Sequence, residues 1–283
     1  MKIGTVNTAY AYLGEAEGAK RAKSHGFDCF DYQYFINTET DYFKLGAAEF
    51  EKRTREFRNI YESEGIEIHQ THGPWRFPVK DGTTEDRAER FEAMSKAIYG
   101  TAVLGSKNFI IHPIMPYGAD SSEEPEGMKA LNCEFFDRLC DVAEKYGITV
   151  CYENMPFLNL PIASVAQILD TVKKLNRNNF KICLDTGHCA VFGQDIGEAV
   201  RMIGKDNLYA LHVHDNDGKR DLHQLPHTGV INWDNFKTSL KDINYSGVLS
   251  LETAINRKEL SKTEWETKEI ELANIAKKLA GII

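Results

Sequence analysis

No run in this sequence approaches the roughly 20 consecutive apolar residues that span a bilayer. The opening residues, Met1-Lys2-Ile3-Gly4-Thr5-Val6, read as a strand and not as the apolar core of a leader. Disulfide rhythm is missing as well. Six cysteines (Cys29, Cys133, Cys140, Cys151, Cys183 and Cys189) show neither CxxC spacing nor a scaffold pattern, and Cys133 and Cys140, a heptad apart, fit one buried helix face. A reduced, cytoplasmic protein with no membrane contact is the expectation. Basic residues are in deficit: 34 Lys and Arg against 42 Asp and Glu give a net charge of -8, which argues against a nucleic-acid partner because phosphate binding needs a basic face. A Rossmann fingerprint and a P-loop are both absent, so a nucleotide cofactor is not expected. There is also no Pro/Ser-rich linker or break in composition, and residues 1–283 read as one domain.

What is present is an eightfold alternation of short β-rich runs with longer amphipathic segments. Strands are expected at residues 2–6, 29–33, 66–71, 108–111, 149–153, 181–185, 208–212 and 248–252, with helices at 13–24, 47–64, 84–104, 125–146, 161–174, 196–203, 233–241 and 261–279. Gly26, Gly65, Gly105 and Gly147 each stand just before a strand, where a left-handed helix C-cap is needed. An alternating βα chain can form a doubly wound sheet or a barrel. The count of eight, with polar residues spread over many strand ends, favours a single (β/α)8 TIM barrel.

The last four strands end in Glu153, Asp185, His212 and Glu252. A carboxylate or imidazole at the end of an apolar strand is costly to bury unless it is paired or metal-bound. Four at the same end of successive parallel strands converge on one point, which reads as a site for a divalent cation: three oxygen donors and one imidazole suit Mn2+, Mg2+ or Co2+, with Zn2+ also compatible. His212 and His214 are two apart and share a strand face, so the spacing leaves both open as ligand. Further histidines follow strand ends: His72 in Thr-His-Gly-Pro-Trp75, His112 in Ile-Ile-His-Pro, His188 three residues past Asp185, and His223 in Asp221-Leu-His. Taken singly, each is more often a satisfied core or surface residue; taken together they mark a functional mouth.

The series His72-Gly-Pro-Trp75, Ile-His112-Pro, Glu153-Asn154, Leu-Asp185-Thr-Gly-His188, His212-Val-His214-Asp215, Asp221-Leu-His223 and Leu-Glu252 resembles the xylose-isomerase-like TIM-barrel superfamily. The resemblance covers most of the chain and keeps the motif order. In the branch of ketose 3-epimerases and sugar-phosphate isomerases it implies one divalent metal, Mn2+ first, held by Glu153, Asp185, His212 and Glu252. His212 is preferred over His214 because the family ligand stands three residues before an acidic position, here Asp215. The same resemblance implies that His188 contacts substrate hydroxyls, with His72, His112, His214, Asp221, His223 and Trp75 as further substrate contacts. It also implies a sugar substrate and allows a homo-oligomer. A second branch, the apurinic endonucleases with three zinc ions, would use His72, His112, Glu153, Asp185, His188, His212, Asp221, His223 and Glu252, and every one of these positions carries a compatible residue here.

Three features favour sugar chemistry. The net charge is acidic; the segment Asp215-Asn-Asp-Gly218, followed by Asp221-Leu-His-Gln-Leu-Pro226 and Gly229-Val-Ile-Asn-Trp233, resembles the loop of sugar isomerases and epimerases; and aromatic residues follow the early strands (Tyr10, Tyr12, Tyr32, Tyr34, Phe35, Trp75 and Phe77), while Arg53, Arg55 and Arg58, interleaved with Glu51 and Glu56, read as a solvated helix face. Half of that aromatic signal is equally well read as helix packing. The loop Asp221-Leu-His-Gln-Leu-Pro226 departs from the family's Pro-Gly-x-Gly because His227 takes the first glycine position. The expected reaction is epimerisation or isomerisation through an enediolate, with Glu153 and Glu252 as the acid–base pair. Dehydration or bond cleavage beside a keto group would share that intermediate. A non-catalytic metal-binding barrel would not need a matched pair of carboxylates. Lys219 and Arg220 are the nearest candidates for a substrate phosphate.

Overall fold

The computed structural model describes residues 1–282. Eight parallel strands form one sheet: β1 Ile3–Val6, β2 Cys29–Tyr32, β3 Glu67–His72, β4 Asn108–Ile111, β5 Thr149–Glu153, β6 Phe180–Asp185, β7 Leu208–His212 and β8 Leu249–Leu251. β8 pairs with β1, so the sheet curls back on itself. The remaining gap is spanned by a single bridge: Val213 N–H donates to Ser250 O at 2.9 Å and Glu252 N–H donates to Val213 O at 3.1 Å. The result is the nearly closed (β/α)8 barrel that the alternation predicts.

Phe109, Ile111, Val150, Tyr152, Ile182, Leu184 and Leu211 belong to the large core shared with the surrounding helices. A smaller buried cluster joins Ile110, Cys151, Cys183 and Ala210. Two of the cysteines therefore act as small apolar filler, and all six are free thiols. Helices follow the expected spans closely. The fifth begins at Val165 and not at Pro161, because Ser164 and Gln167 form a capping box that fixes the start. Gly26, Gly65, Gly105 and Gly147 adopt φ of 107°, 75°, 81° and 64°, the left-handed C-cap their positions called for.

Two short helices, Asp41–Lys44 and Thr186–Val191, lie in what reads as loop. The second starts directly on β6. The Asp185 carboxylate caps it by accepting the His188 N–H at 2.7 Å, which turns the chain so that His188 faces back over the barrel mouth.

Candidate metal centre and active site

Glu153, Asp185 and His212 are the last residues of β5, β6 and β7, and Glu252 follows β8 directly. One ligand atom from each of the four lies within 4.8 Å of the others. His212 is fully buried. Its Nδ1 is 2.7 Å from Glu153 Oε1 and 3.2 Å from Glu252 Oε2, and its Nε2 is 2.8 Å from Asp31 Oδ2. An imidazole with one nitrogen aimed among carboxylates and the other anchored on a separate carboxylate is oriented as metal ligands usually are. His214 is equally buried, but its Nε2 faces Asp185 Oδ2 at 3.0 Å and it groups with His188, Asp221 and His223.

The donor set fits a divalent cation. Asp31 Oδ1 is buried without a hydrogen-bond donor, and Glu153 Oε2 has only His112 Nε2 near it, at 3.0 Å. Converging carboxylates with open acceptor positions, one step from an imidazole, suit a hard-to-borderline ion. The neighbouring histidines set the charge balance of these carboxylates. Burial opposes protonation of His212, yet Cys183, Glu153, Glu252 and the bond to Asp31 together hold its pKa well above the ordinary value. Burial likewise disfavours an ionised Glu153, but the protonated His212 outweighs it and keeps the carboxylate well below its usual range.

The outer histidines share one arrangement. His72 Nδ1 donates to Gly73 O at 2.8 Å, His188 Nδ1 to Asn154 O at 2.7 Å, and His223 Nδ1 to Glu252 O at 2.7 Å. A carbonyl can only accept, so each Nδ1 carries the proton and each Nε2 turns inward. His188 Nε2 and His223 Nε2 both stand 3.2 Å from Asp221 Oδ2, and His72 Nε2 stands 3.2 Å from His112 Nε2. A lone pair facing a carboxylate is repulsive unless a proton or a cation intervenes. Against the cost of burial, Asp185 and Asp221 lift His188 to about 10. His223 is lifted to about 9 by Asp221 and Glu252, again against burial. His112, with burial dominant, falls to about 4.

Over these groups lies a cavity of about 310 Å³, at the small end of the roughly 300–1,000 Å³ typical of small-molecule sites. His72, Trp75, His112, Glu153, His188, Asp221, His223 and Glu252 line it, with Phe77, Met155 and Phe157 on its apolar side. Asp185, His212 and His214 do not line this cavity. They lie beneath it, in ligand groups that share Glu153, Glu252, His188, Asp221 and His223 with its lining.

Several expectations need correction. Tyr10, Tyr32 and Phe35 are buried in the core, and of the early aromatics only Trp75 and Phe77 reach the cavity. Tyr34 is half-buried beside Phe57, and Tyr12 is exposed against Trp265. Lys219 and Arg220 are exposed; Arg220 is bound to Asp217, and neither lines the cavity. Arg53, Arg55 and Arg58 pair with Glu56, Glu51 and Glu62 on their own helix, as a solvated charged face should. His227 does occupy a glycine position, with φ of 73°. The loop keeps its shape because the buried Asp215 carboxylate accepts N–H groups from His227, Gly229 and Ile231.

Four residues support the site: Asp31 and Gln33 escaped the sequence reading, while Asn154 and Asp215 stood in the motif series without a role of their own. Asp31 orients His212; Gln33 Nε2 donates to Glu252 Oε1 at 2.8 Å; Asn154 ties β5 to β6 by a reciprocal pair of hydrogen bonds with the Asp185 backbone; and Asp215 organises the loop. The polar residues Asp31 and Gln33, two apart at the end of an apolar strand, were the available signal for the first two.

The chain is similar to known proteins over most of its length. Residues 19–274 match the family model for the xylose isomerase-like TIM barrel. An uncharacterized protein of Methanocaldococcus jannaschii is 26% identical over 97% of this chain and 91% of its own length. The D-psicose 3-epimerase of Agrobacterium fabrum is 27% identical over 69% of this chain and 67% of its own. A solved IOLI protein with a bound zinc atom superimposes with a TM-score of 0.75 at 19% identity, covering 99% of this chain and 96% of that one. With its barrel, its strand-end ligand set and a family match over most of its length, the chain belongs to the xylose isomerase-like TIM-barrel family.

Proposed function

We propose that the protein is a divalent-metal-dependent sugar epimerase or isomerase that moves a proton at a carbon beside a carbonyl. The observation that carries this reading is the pair Glu153 and Glu252. From non-adjacent strands both carboxylates reach the same nitrogen, His212 Nδ1, at 2.7 and 3.2 Å, so both can flank one substrate carbon. The kinship with a D-psicose 3-epimerase supports it.

Glu153, Asp185, His212 and Glu252 would hold the cation, with Mn2+ the first choice on donor chemistry and Zn2+ supported by the zinc atom of the IOLI protein. Such an ion supplies Lewis-acid polarisation of a carbonyl and its neighbouring hydroxyl, which acidifies the C–H beside them. One carboxylate of the pair removes that proton to give an enediolate, and the other returns a proton from the opposite face, inverting the centre. Return to the neighbouring carbon would instead interconvert ketose and aldose. Gln33 fixes the Glu252 carboxylate through its hydrogen bond to Oε1. His188 and Asp221 offer a donor and an acceptor to hydroxyls, and Trp75 an apolar face to sugar C–H groups.

The test is solvent exchange: metal-loaded protein in D2O with D-psicose or D-fructose, the C3 proton followed by NMR. Glu153→Gln and Glu252→Gln should each slow exchange by about 100-fold or more. Unchanged exchange in either variant sinks the assignment of the pair.

A second reading rests on the inward Nε2 atoms of His72, His188 and His223, since the ligand-capable residues fall into three groups. Three zinc ions there would suit phosphodiester hydrolysis. Net charge and the paired arginines favour the sugar reading. Elemental mass spectrometry separates the two: a single metal per chain, lost in Glu153→Ala, against about three zinc ions with cleavage of abasic DNA.

A further inference from the structure

Glu252 and His223 border two cavities. On their other side, between the chain after β1, the chain after β8 and the helix Lys262–Leu279, lies a second cavity of about 370 Å³. Thr8, Gln33, Thr253, Trp265 and Glu269 supply its polar and aromatic lining, and Ala9, Ala254 and Ile255 its apolar part. Nothing in the catalytic proposal uses this cavity, yet it carries unspent hydrogen-bonding capacity. Thr253 is 8% exposed and its Oγ1 has no partner. Glu269 is 2% exposed, with Tyr10 OH donating to its Oε2. A buried hydroxyl without a partner and a carboxyl held in an apolar wall are both costly features, and a ligand carrying hydroxyls would satisfy them.

The lining also says what does not bind. Among the described residues no Lys or Arg lines the cavity, while two carboxyl side chains do. A phosphate or carboxylate tail is therefore disfavoured. An aromatic edge, acceptor oxygens and small apolar side chains together are the surface that an uncharged sugar ring prefers.

We propose that this second cavity is a subsite for a glycosyl group, so that the substrate is a keto sugar bearing a second, uncharged ring and not a free or phosphorylated monosaccharide. The inference rests on the keto-sugar reading above, with the reacting carbon on the Glu252 side and the second ring beyond it. Thr253 and Glu269 are specificity-determining contacts to that ring.

The experiment is calorimetric titration of the metal-loaded protein with D-fructose and with maltulose, leucrose and isomaltulose, which carry glucose on O4, O5 and O6 of fructose. At least one disaccharide should bind about tenfold or more tightly than fructose. That ratio should fall to about one in Thr253→Val, and also in Ala254→Trp, whose exposed position lets the indole fill the cavity without disturbing the core. The proposal is overturned if no disaccharide binds more tightly than fructose, including the case in which none binds at all, or if the advantage survives both variants. C3 proton exchange reports separately on the keto-sugar reading, so a protein that exchanges fructose but ignores the second ring refutes the subsite alone.

Discussion

Asp215→Asn should loosen the loop that carries Asp221 and His223 and should cost far more than an isosteric change at a surface. The carboxylate is fully buried and accepts five N–H groups. Oδ1 takes Asn216 N at 3.0 Å and Ile231 N at 3.2 Å; Oδ2 takes His227 N at 3.1 Å, Gly229 N at 3.0 Å and Trp233 Nε1 at 2.9 Å. An asparagine keeps one oxygen and presents an amide NH2 in place of the other. In its better orientation the oxygen serves the three donors of Oδ2, leaving two N–H groups facing an NH2. At about 1–3 kcal/mol for each unsatisfied buried donor, the penalty is about 2–6 kcal/mol. With roughly 2 °C of melting temperature per kcal/mol in a chain of this size, the midpoint should fall by about 4–12 °C. The alternative is local: the loop opens, water takes the freed N–H groups, and the global midpoint moves less. Hydrogen exchange distinguishes the two, because local opening exposes the Gly229 and Ile231 amides while the strands stay protected. A melting shift below about 1 °C with unchanged protection at Gly229 and Ile231 would refute the view that Asp215 holds this loop.

Three further outcomes follow from particular contacts. His227→Val should lower stability by about 2 kcal/mol in urea unfolding because a β-branched residue fits the left-handed φ of 73° poorly, whereas His227→Gly should stay within about 1 kcal/mol of wild type. Gly187→Ala should weaken metal binding by about tenfold or more in chelator competition, because a Cβ there would sit 2.0 Å from the ring of His214, the partner of Asp185; an unchanged affinity would show that His214 does not hold Asp185. Glu269 is pushed up by burial from 4.5 to about 7, against the opposing bonds from Tyr10 and Trp265. A raised carboxyl favours the fold when protonated, so its contribution is complete below about pH 4.5 and lost as pH rises through 7, about 3 kcal/mol in all. The difference in unfolding free energy between wild type and Glu269→Gln, followed over that window, should trace the loss, and a flat difference would contradict it.

The barrel was legible because its signals are local and repeated. Each strand is a short apolar run, several helices before a strand end at a glycine such as Gly26 or Gly147, and the alternation recurs eight times. The ligand candidates were legible for a related reason: a parallel barrel turns the ends of all its strands toward one mouth, so Glu153, Asp185, His212 and Glu252 needed only the period of the fold to be brought together. What stayed hidden depends on pairings across long sequence distances. Asp31 meets His212 across 181 residues and Gln33 meets Glu252 across 219. In the sequence both are polar residues at the end of a strand, no different in kind from one that faces water.

The two histidines of β7 and its extension show where spacing alone stops. Period two puts His212 and His214 on one face, but it does not say which carboxylate each will meet. The difference comes from what stands opposite. Asp31 on β2 and Glu153 on β5 leave His212 with a nitrogen among the carboxylates. The missing Cβ of Gly187 lets His214 tuck against Asp185, where Thr186 Oγ1 accepts its N–H at 2.9 Å. Gly187 and the threonine beside it therefore act on the second histidine as firmly as its own position in the strand does. A sequence comparison that scored only the ligand residues would miss both. A chain carrying an alanine at position 187 could keep all four strand-end ligands and still hold Asp185 in the wrong place.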